Sequence, residues 1–319
     1  MNRFVHTLAR IATLAAGLWL SQAAPAAEAC PPAAQAPTPE QAQAGLAQAR
    51  DRGFLWRISK DGRSSYLYGT VHVAKLEWMY PGPAVMRAAM ASEQIALEID
   101  LLDPATAKRL GAALAADAGA ALPGPLAARL RAQAERACLP PQMLGAMSPE
   151  MLALTLSVLA ARADGLDPSY AADPFFAGLA RGLSKPVVSL ETPESQIELL
   201  RSDSAQERIE TVEKTLQELE NGRARAMVQR IAMVWADSRF DELQRYQQWC
   251  DCARTADERR ALRRLLDERN PQLAERIAAL HESGHTVFAA VGSLHMIGGT
   301  GLPALFEQRG YRVERVSFK

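Results

Sequence analysis

Four residues of this chain have the types and the spacing to share one piece of chemistry. His72 closes Gly69-Thr70-Val71-His72 directly after the run Ser65 to Tyr68, and His295 closes Gly292-Ser293-Leu294-His295 directly after Thr286 to Val291. A glycine at the end of a strand lets the backbone turn sharply or come close to a ligand. A side chain three residues on can then point across the sheet edge. One G-x-x-H is a weak signal, whereas two in matched settings form a pattern. Glu98 closes Ile95-Ala96-Leu97, and Glu191 closes Val187-Val188-Ser189-Leu190. A glutamate ending a buried strand is costly unless a cation or hydrogen bonds satisfy it. Taken singly, each residue reads as a hydrogen-bonded buried polar group. Taken together, at the C-terminal strand ends where open α/β sheets assemble their sites, they read as one metal or catalytic site, provided the strands run largely parallel. Imidazole with carboxylate suits a divalent ion of the Zn, Mn or Co class, and thiolate ligation is absent from the set.

The elements that must position these residues follow from the same pattern. Phe54 to Ser59 and Ser65 to Tyr68 flank Asp61-Gly62, a hairpin turn signal between two strands. A helix is expected over Pro83 to Ser92, with Pro83 in its first turn, then a short strand over Ile95 to Glu98. Pro104 to Ala163 is rich in Ala and Leu and broken at Pro123-Gly124-Pro125 and Leu139-Pro140-Pro141, which reads as several helices. Phe175 to Leu183 is helical again, and Val187 to Leu190 is a buried strand. Residues 193 to 283 are helical with mixed charge, which reads as solvated faces. The chain ends strand, glycine-rich turn, helix (Leu302 to Arg309) and strand (Tyr311 to Phe318), with Gly310 as the helix stop. The expected class is α/β or α+β: a mixed sheet of short buried strands with flanking helices. One domain over 54–319 carries a large helical insert at about 104–183 and a charged helical region at about 193–283.

Before it, 1–29 reads as a cleavable signal peptide. Arg3 and Arg10 precede the apolar run Ile11 to Leu20, and small residues up to Ala29 offer cleavage after Ala26 or Ala29. The run is too short for a permanent membrane anchor. Cys30 raises a lipoprotein alternative that Glu28 disfavours, and the separated arginines disfavour a twin-arginine route. Residues 30–53 read as a loose leader. The chain carries 36 basic and 36 acidic residues. Cleavage after Ala26 would remove two arginines, and that balance argues against nucleic acid or an anionic membrane surface as partner. Cys30, Cys138, Cys250 and Cys252 would favour disulfides in an oxidising compartment. Because a Cys250–Cys252 bridge closes a very small ring, the expectation is that Cys30 or Cys138 pairs with the Cys250/Cys252 region, with a C-x-C redox pair as the other reading. Gly298-Gly299-Thr300-Gly301 lacks a Walker-type lysine and is expected to give the chain room beside His295. His281, Glu282 and His285 depart from H-E-x-x-H geometry and are expected on the surface. Asn270, before Pro271, is expected to cap a helix.

With those pieces in hand, the chain resembles the TraB/GumN family, whose relatives include the Tiki metalloproteases. The matching segments are Tyr68 to His72, Ala96 to Asp100, Lys185 to Thr192, Arg269-Asn270, and Val291 to His295 with Gly301-Leu302, and the similarity runs from Phe54 to Lys319. The resemblance implies metal-dependent cleavage of peptide bonds, or of small esters by way of erythromycin-esterase-like relatives, and together with the signal peptide the expectation is a periplasmic or secreted bacterial hydrolase. In that reading His72, His295, Glu98 and Glu191 are the metal set, one glutamate being the general base, and Arg269 also faces the site. The alternative is a non-catalytic peptide binder, like the pheromone-shutdown branch, with a structural metal.

Overall fold

Asp61 and Gly62 both adopt positive φ, 52° and 76°, as the two central residues of a tight hairpin must if its twist is to match the strands. They join β1 (Phe54–Lys60) to β2 (Arg63–Thr70), paired antiparallel from Lys60↔Arg63 to Phe54↔Gly69. In the computed structural model, which describes residues 30–318, this hairpin is part of a six-stranded mixed sheet. The export signal expected over 1–29 lies outside the described residues. The sheet is completed by β3 (Gln94–Leu97), β4 (Val187–Ser189), β5 (Val287–Gly292) and β6 (Arg312–Val316), in the order β4-β3-β5-β2-β1-β6. β5 pairs parallel with both β2 and β3, and β3 parallel with β4, while β1 is antiparallel to β2 and β6. The strands that precede all four candidate residues therefore run the same way and end at one edge.

Every residue of β5 is buried, as a parallel strand covered on both faces should be. β4, expected to be buried, is only half-buried along its length, because it lies at the sheet edge with one neighbour.

Ahead of the sheet lies α1 (Pro39–Ala47), and α2 (Pro83–Ala91) connects β2 to β3. The crossover from β3 to β4 holds α3 (Pro104–Ala115), α4 (Gly124–Arg136), α5 (Pro149–Leu159) and α6 (Ala172–Gly182). The one from β4 to β5 holds α7 (Pro193–Leu200), α8 (Ala205–Glu220), α9 (Arg223–Ala236), α10 (Phe240–Leu243), α11 (Tyr246–Trp249), α12 (Ala256–Leu265) and α13 (Asn270–Glu282). Last, α14 (Leu302–Gln308) returns the chain from β5 to β6. Many of these helices carry proline in the first turn, where its missing N–H costs nothing. Phe176 of α6 packs on the sheet, 5.7 Å from Tyr68 and 4.8 Å from Phe288 between ring centroids. A second core joins α4, α5, α7 and α8 through Leu126, Met151, Ile197 and Leu216. No helix among the described residues is long and apolar enough to cross a membrane.

Three expectations are corrected. The disulfides are Cys30–Cys138 and Cys250–Cys252. Asp251 lies between its two cysteines at φ 56°, and this reversal closes the small ring that spacing alone argued against. Cys138, just past α4, instead ties down the leader. That leader is more ordered than a loose segment: Thr38 and Gln41 form a reciprocal capping box at the start of α1. Finally, His281 is buried rather than on the surface, although Glu282 and His285 are exposed.

Candidate functional site

The parallel edge gathers the candidate residues in two overlapping groups. Around Gly292 stand Glu98, His72 and His295: a Cβ placed on that glycine would lie 3.1 Å from Glu98 Oε1, 3.6 Å from His72 Nε2 and 3.7 Å from His295 Cδ2. The absence of a side chain at position 292 thus opens a cradle that three ligand-type side chains face. The Gly292 N–H also donates to Glu98 Oε1 at 2.7 Å. Around Arg269 stand the two glutamates. Its Nε donates to Glu191 Oε1 at 2.9 Å, and one terminal nitrogen bonds both Glu98 Oε2, at 2.9 Å, and Glu191 Oε2. Gln196 adds donors to the same two oxygens, at 3.0 and 2.8 Å.

Backbone pairing sets this up. Beyond the ends of β3 and β4 the chains stay in register, with Leu190 N–H bonded to Leu97 O and Glu191 N–H to Glu98 O. The two G-x-x-H segments are joined in the same way, Gly69 opposite Val291 and Thr70 opposite Gly292, and side-chain bonds support them. Ser293 Oγ donates to Thr70 O at 2.7 Å, and the Trp235 indole donates to Gly69 O at 2.8 Å.

The buried His295 is held in one tautomer. Asn270 Nδ2 donates to the carbonyl of Thr300 at 2.8 Å, which leaves Asn270 Oδ1 to accept from His295 Nδ1 at 2.6 Å. A carbonyl can only accept, so the amide orientation is decided, the proton is on Nδ1, and Nε2 keeps its lone pair. Asn270 was expected as a helix cap. It makes no capping bond, and its buried amide orients the histidine instead. The Gly298–Gly301 turn supplies the Thr300 carbonyl, which gives that turn its part in the site. His72, in contrast, is exposed and makes no hydrogen bond among the described residues.

Burial pushes the His295 imidazole down to about 4, against the upward pull of Glu98, so it is neutral at neutral pH. Burial raises the Glu98 carboxyl, but His295, His72, Arg269 and the Gly292 N–H outweigh it and hold that group at about 2. A carboxylate that stays ionised beside a neutral imidazole with a free lone pair is the chemistry of a cation ligand set. Sequence reasoning called for a cation to relieve two buried carboxylates, and Arg269 supplies one from within the chain.

Two further residues were missed. Gln196 sits one turn into α7 with no pattern to mark it. Asp173 opens α6, and its half-buried carboxyl, 3.4 Å from Thr70 Oγ1, is pushed up to about 6 by desolvation despite His72. The signal that could have found it is an acidic residue in a first helical turn beside a site loop.

A divalent ion is tested by the donors present. Two imidazoles and one persistent carboxylate fit the Zn, Mn or Co class, and the cradle at Gly292 gives it room. Among the described residues no three His, Cys, Asp or Glu side chains already stand as a ligand group. His72, exposed and unpartnered, is the donor free to swing. Beside these residues opens a cavity of about 250 Å³ lined by His72, His295 and Arg269, by Thr70 and Ser293, and otherwise mostly by apolar side chains.

A family model described as the TraB/PrgY/gumN family matches residues 54–315. No curated protein and no solved structure matches the chain.

Proposed function

The chain belongs to the TraB/PrgY/gumN family, and we propose that it is a metal-dependent hydrolase acting on peptide bonds in the bacterial periplasm. The observation that carries this reading is the grouping of His72, His295 and Glu98 round the bare Gly292. Those three side chains would hold the ion, Glu98 because its Oε1 reaches the cradle and its charge persists. When bound, a divalent ion supplies Lewis acidity to the scissile carbonyl and lowers the pKa of water. Asn270 keeps the His295 lone pair aimed outward. Glu191 is the remaining carboxylate and is assigned the proton-accepting role, its position held by Arg269 and Gln196. Arg269 also ties Glu98 to Glu191, so that the two carboxylates keep a fixed separation. The location rests on the export signal read in 1–29 and on the two disulfides, which persist in oxidising compartments.

Metal analysis of the purified mature protein beside a His72→Ala/His295→Ala variant tests the ligand assignment. The expected result is about one equivalent of a divalent ion in the first and none in the second. Glu98→Gln should lose metal, whereas Glu191→Gln should keep metal and lose peptide cleavage. Equal metal content in the wild type and the double-histidine variant would overturn the reading. Intact-mass measurement of the protein from its native cells should show that the segment from Met1 to Leu20 has been removed, and a mass that retains it would overturn the location.

A further inference from the structure

The cavity beside the site is far more apolar than the chemistry at its end requires. Val158 on α5, Val228, Ile231 and Trp235 on α9, and Leu265 and Leu266 at the end of α12 form its walls. Its ionisable groups, His72, His295 and Arg269, all belong to the site. Trp235 is rigid: its indole N–H is committed to Gly69 O, and its own carbonyl accepts from Gly53 N–H at 2.9 Å. It therefore offers the cavity only an apolar ring. A charged substrate group entering here would lose its hydration with little to replace it, because no carboxylate among the described residues lines the cavity and Arg269 already answers Glu98, Glu191 and the Leu265 carbonyl. That is strongly unfavourable, whereas an apolar group gains with every Å² it buries.

A second cavity, of about 450 Å³, continues outward. It shares Val158 and Val228 with the first and adds Arg223, Arg230, Glu218 and Asp251. The track thus runs from reactive residues, through an apolar pocket, to a rim of mixed charge. That sequence of surfaces fits an extended chain carrying one apolar side chain next to the bond being cut, with polar groups further along.

We propose that the Val158–Val228–Ile231–Trp235 pocket is a specificity pocket for a single aliphatic or aromatic side chain flanking the scissile bond of a peptide. The proposal rests on the metal-dependent hydrolase reading for its catalytic consequence. The pocket's chemistry itself does not depend on turnover.

The test uses the full mature chain loaded in turn with Zn²⁺, Mn²⁺ and Co²⁺, and a peptide library randomised at the positions flanking cleavage. The expected result is a kcat/KM at least about tenfold higher for Leu, Ile, Val, Phe or Met at one flanking position than for Asp, Lys or Gly, in line with the 10–200-fold that pockets of this kind discriminate. Val228→Asp should move the preference towards Lys and Arg. Val228→Thr, nearly the same shape, should weaken the apolar preference several-fold while leaving the thermal midpoint in place. Cleavage indifferent to residue type, or a Val228→Asp protein with unchanged preference, would overturn the pocket.

If no peptide is cut with any of the three ions, the hydrolase reading fails, and the pocket is then read by binding alone. With indole-¹⁵N-labelled protein, N-acetyl-leucinamide should shift the Trp235 signal, assigned through Trp235→Phe, and N-acetyl-lysinamide should not. Equal response, or no response, to the two amides would overturn the pocket independently of catalysis.

Discussion

Two histidines lie almost equally buried at opposite ends of the same sheet, His281 at 1% and His295 at 3% exposure. At the N-terminal end of the parallel strands, Ser65 Oγ accepts from Val287 N–H and donates to His281 Nδ1 at 2.8 Å, while His281 Nε2 meets the Lys60 carbonyl at 3.3 Å. Tyr311 packs against the ring, 5.2 Å away. Both nitrogens of His281 are satisfied, and its ring serves as a bolt between α13 and the first hairpin. At the C-terminal end His295 has one nitrogen bonded to Asn270 and the other free of protein partners, facing Glu98 and His72. Burial is common to both and decides nothing. A buried imidazole with every nitrogen answered is structure, and one held by a single nitrogen is a reagent.

The largest effects should separate the two residues cleanly. His295→Ala should lower Zn²⁺ affinity by more than about 100-fold, beyond the 10–100-fold that loss of an outer-shell partner costs, and because it leaves the buried Asn270 Oδ1 without its donor the metal-free protein should lose some stability as well. His281→Ala should change stability alone. It leaves the proton of the Ser65 hydroxyl without its acceptor and opens a void, at a cost of about 2–4 kcal/mol, with metal affinity unchanged. Calorimetric titration and urea denaturation on both variants read the two axes. If His281→Ala weakens metal binding and His295→Ala does not, the comparison is reversed.

That contrast also marks how far the sequence could be read. The Asp61-Gly62 turn, the apolar runs and the glycines after Tyr68 and Val291 carry local signals, and they correctly give the hairpin, the strands and the edge where His72, Glu98, Glu191 and His295 gather. The parallel direction that brings those ends together was an open condition in the sequence, because it depends on how the long crossovers return. Partners were less legible still. Asn270 reads locally as a cap, and only the Thr300 carbonyl, thirty residues on, turns its amide towards His295. Gln196 and Asp173 reach the site from helices whose packing no short pattern encodes. The same limit applies to Cys30–Cys138, which spans 108 residues.

A middle-sized effect tests whether His295 owes its availability to its one held nitrogen. Asn270→Ala should cost roughly 10–100-fold in metal affinity, because the ring loses its fixed tautomer and both orientations become populated. Asn270→Asp keeps an acceptor for Nδ1–H but sets a carboxylate against the Thr300 carbonyl. It should restore much of the affinity while lowering stability. An alanine variant that binds metal as the wild type does would show that the amide is only packing.

The smallest expected effect is a slope that nearly vanishes. In metal-free protein His295 is depressed from 6.5 to about 4, so the unfolded chain binds its proton more readily. The stability that it contributes is fully present above pH 6.5 and is lost as pH falls through 4. Asp173 is raised from 3.8 to about 6, so its contribution is fully present below pH 3.8 and is lost as pH rises through 6. Between pH 4 and 6 the two run in opposite directions with similar size, and the wild type should show little net dependence from this pair. Asp173→Asn removes one arm. The variant should then lose stability on the order of 3 kcal/mol between pH 6.5 and 4, and the further change His295→Ala should abolish that loss. Urea denaturation in chelator at half-unit pH steps reads all three proteins. A flat profile in Asp173→Asn would mean that His295 is protonated as easily in the fold as outside it, and the distinction between the two buried histidines would then rest on position alone.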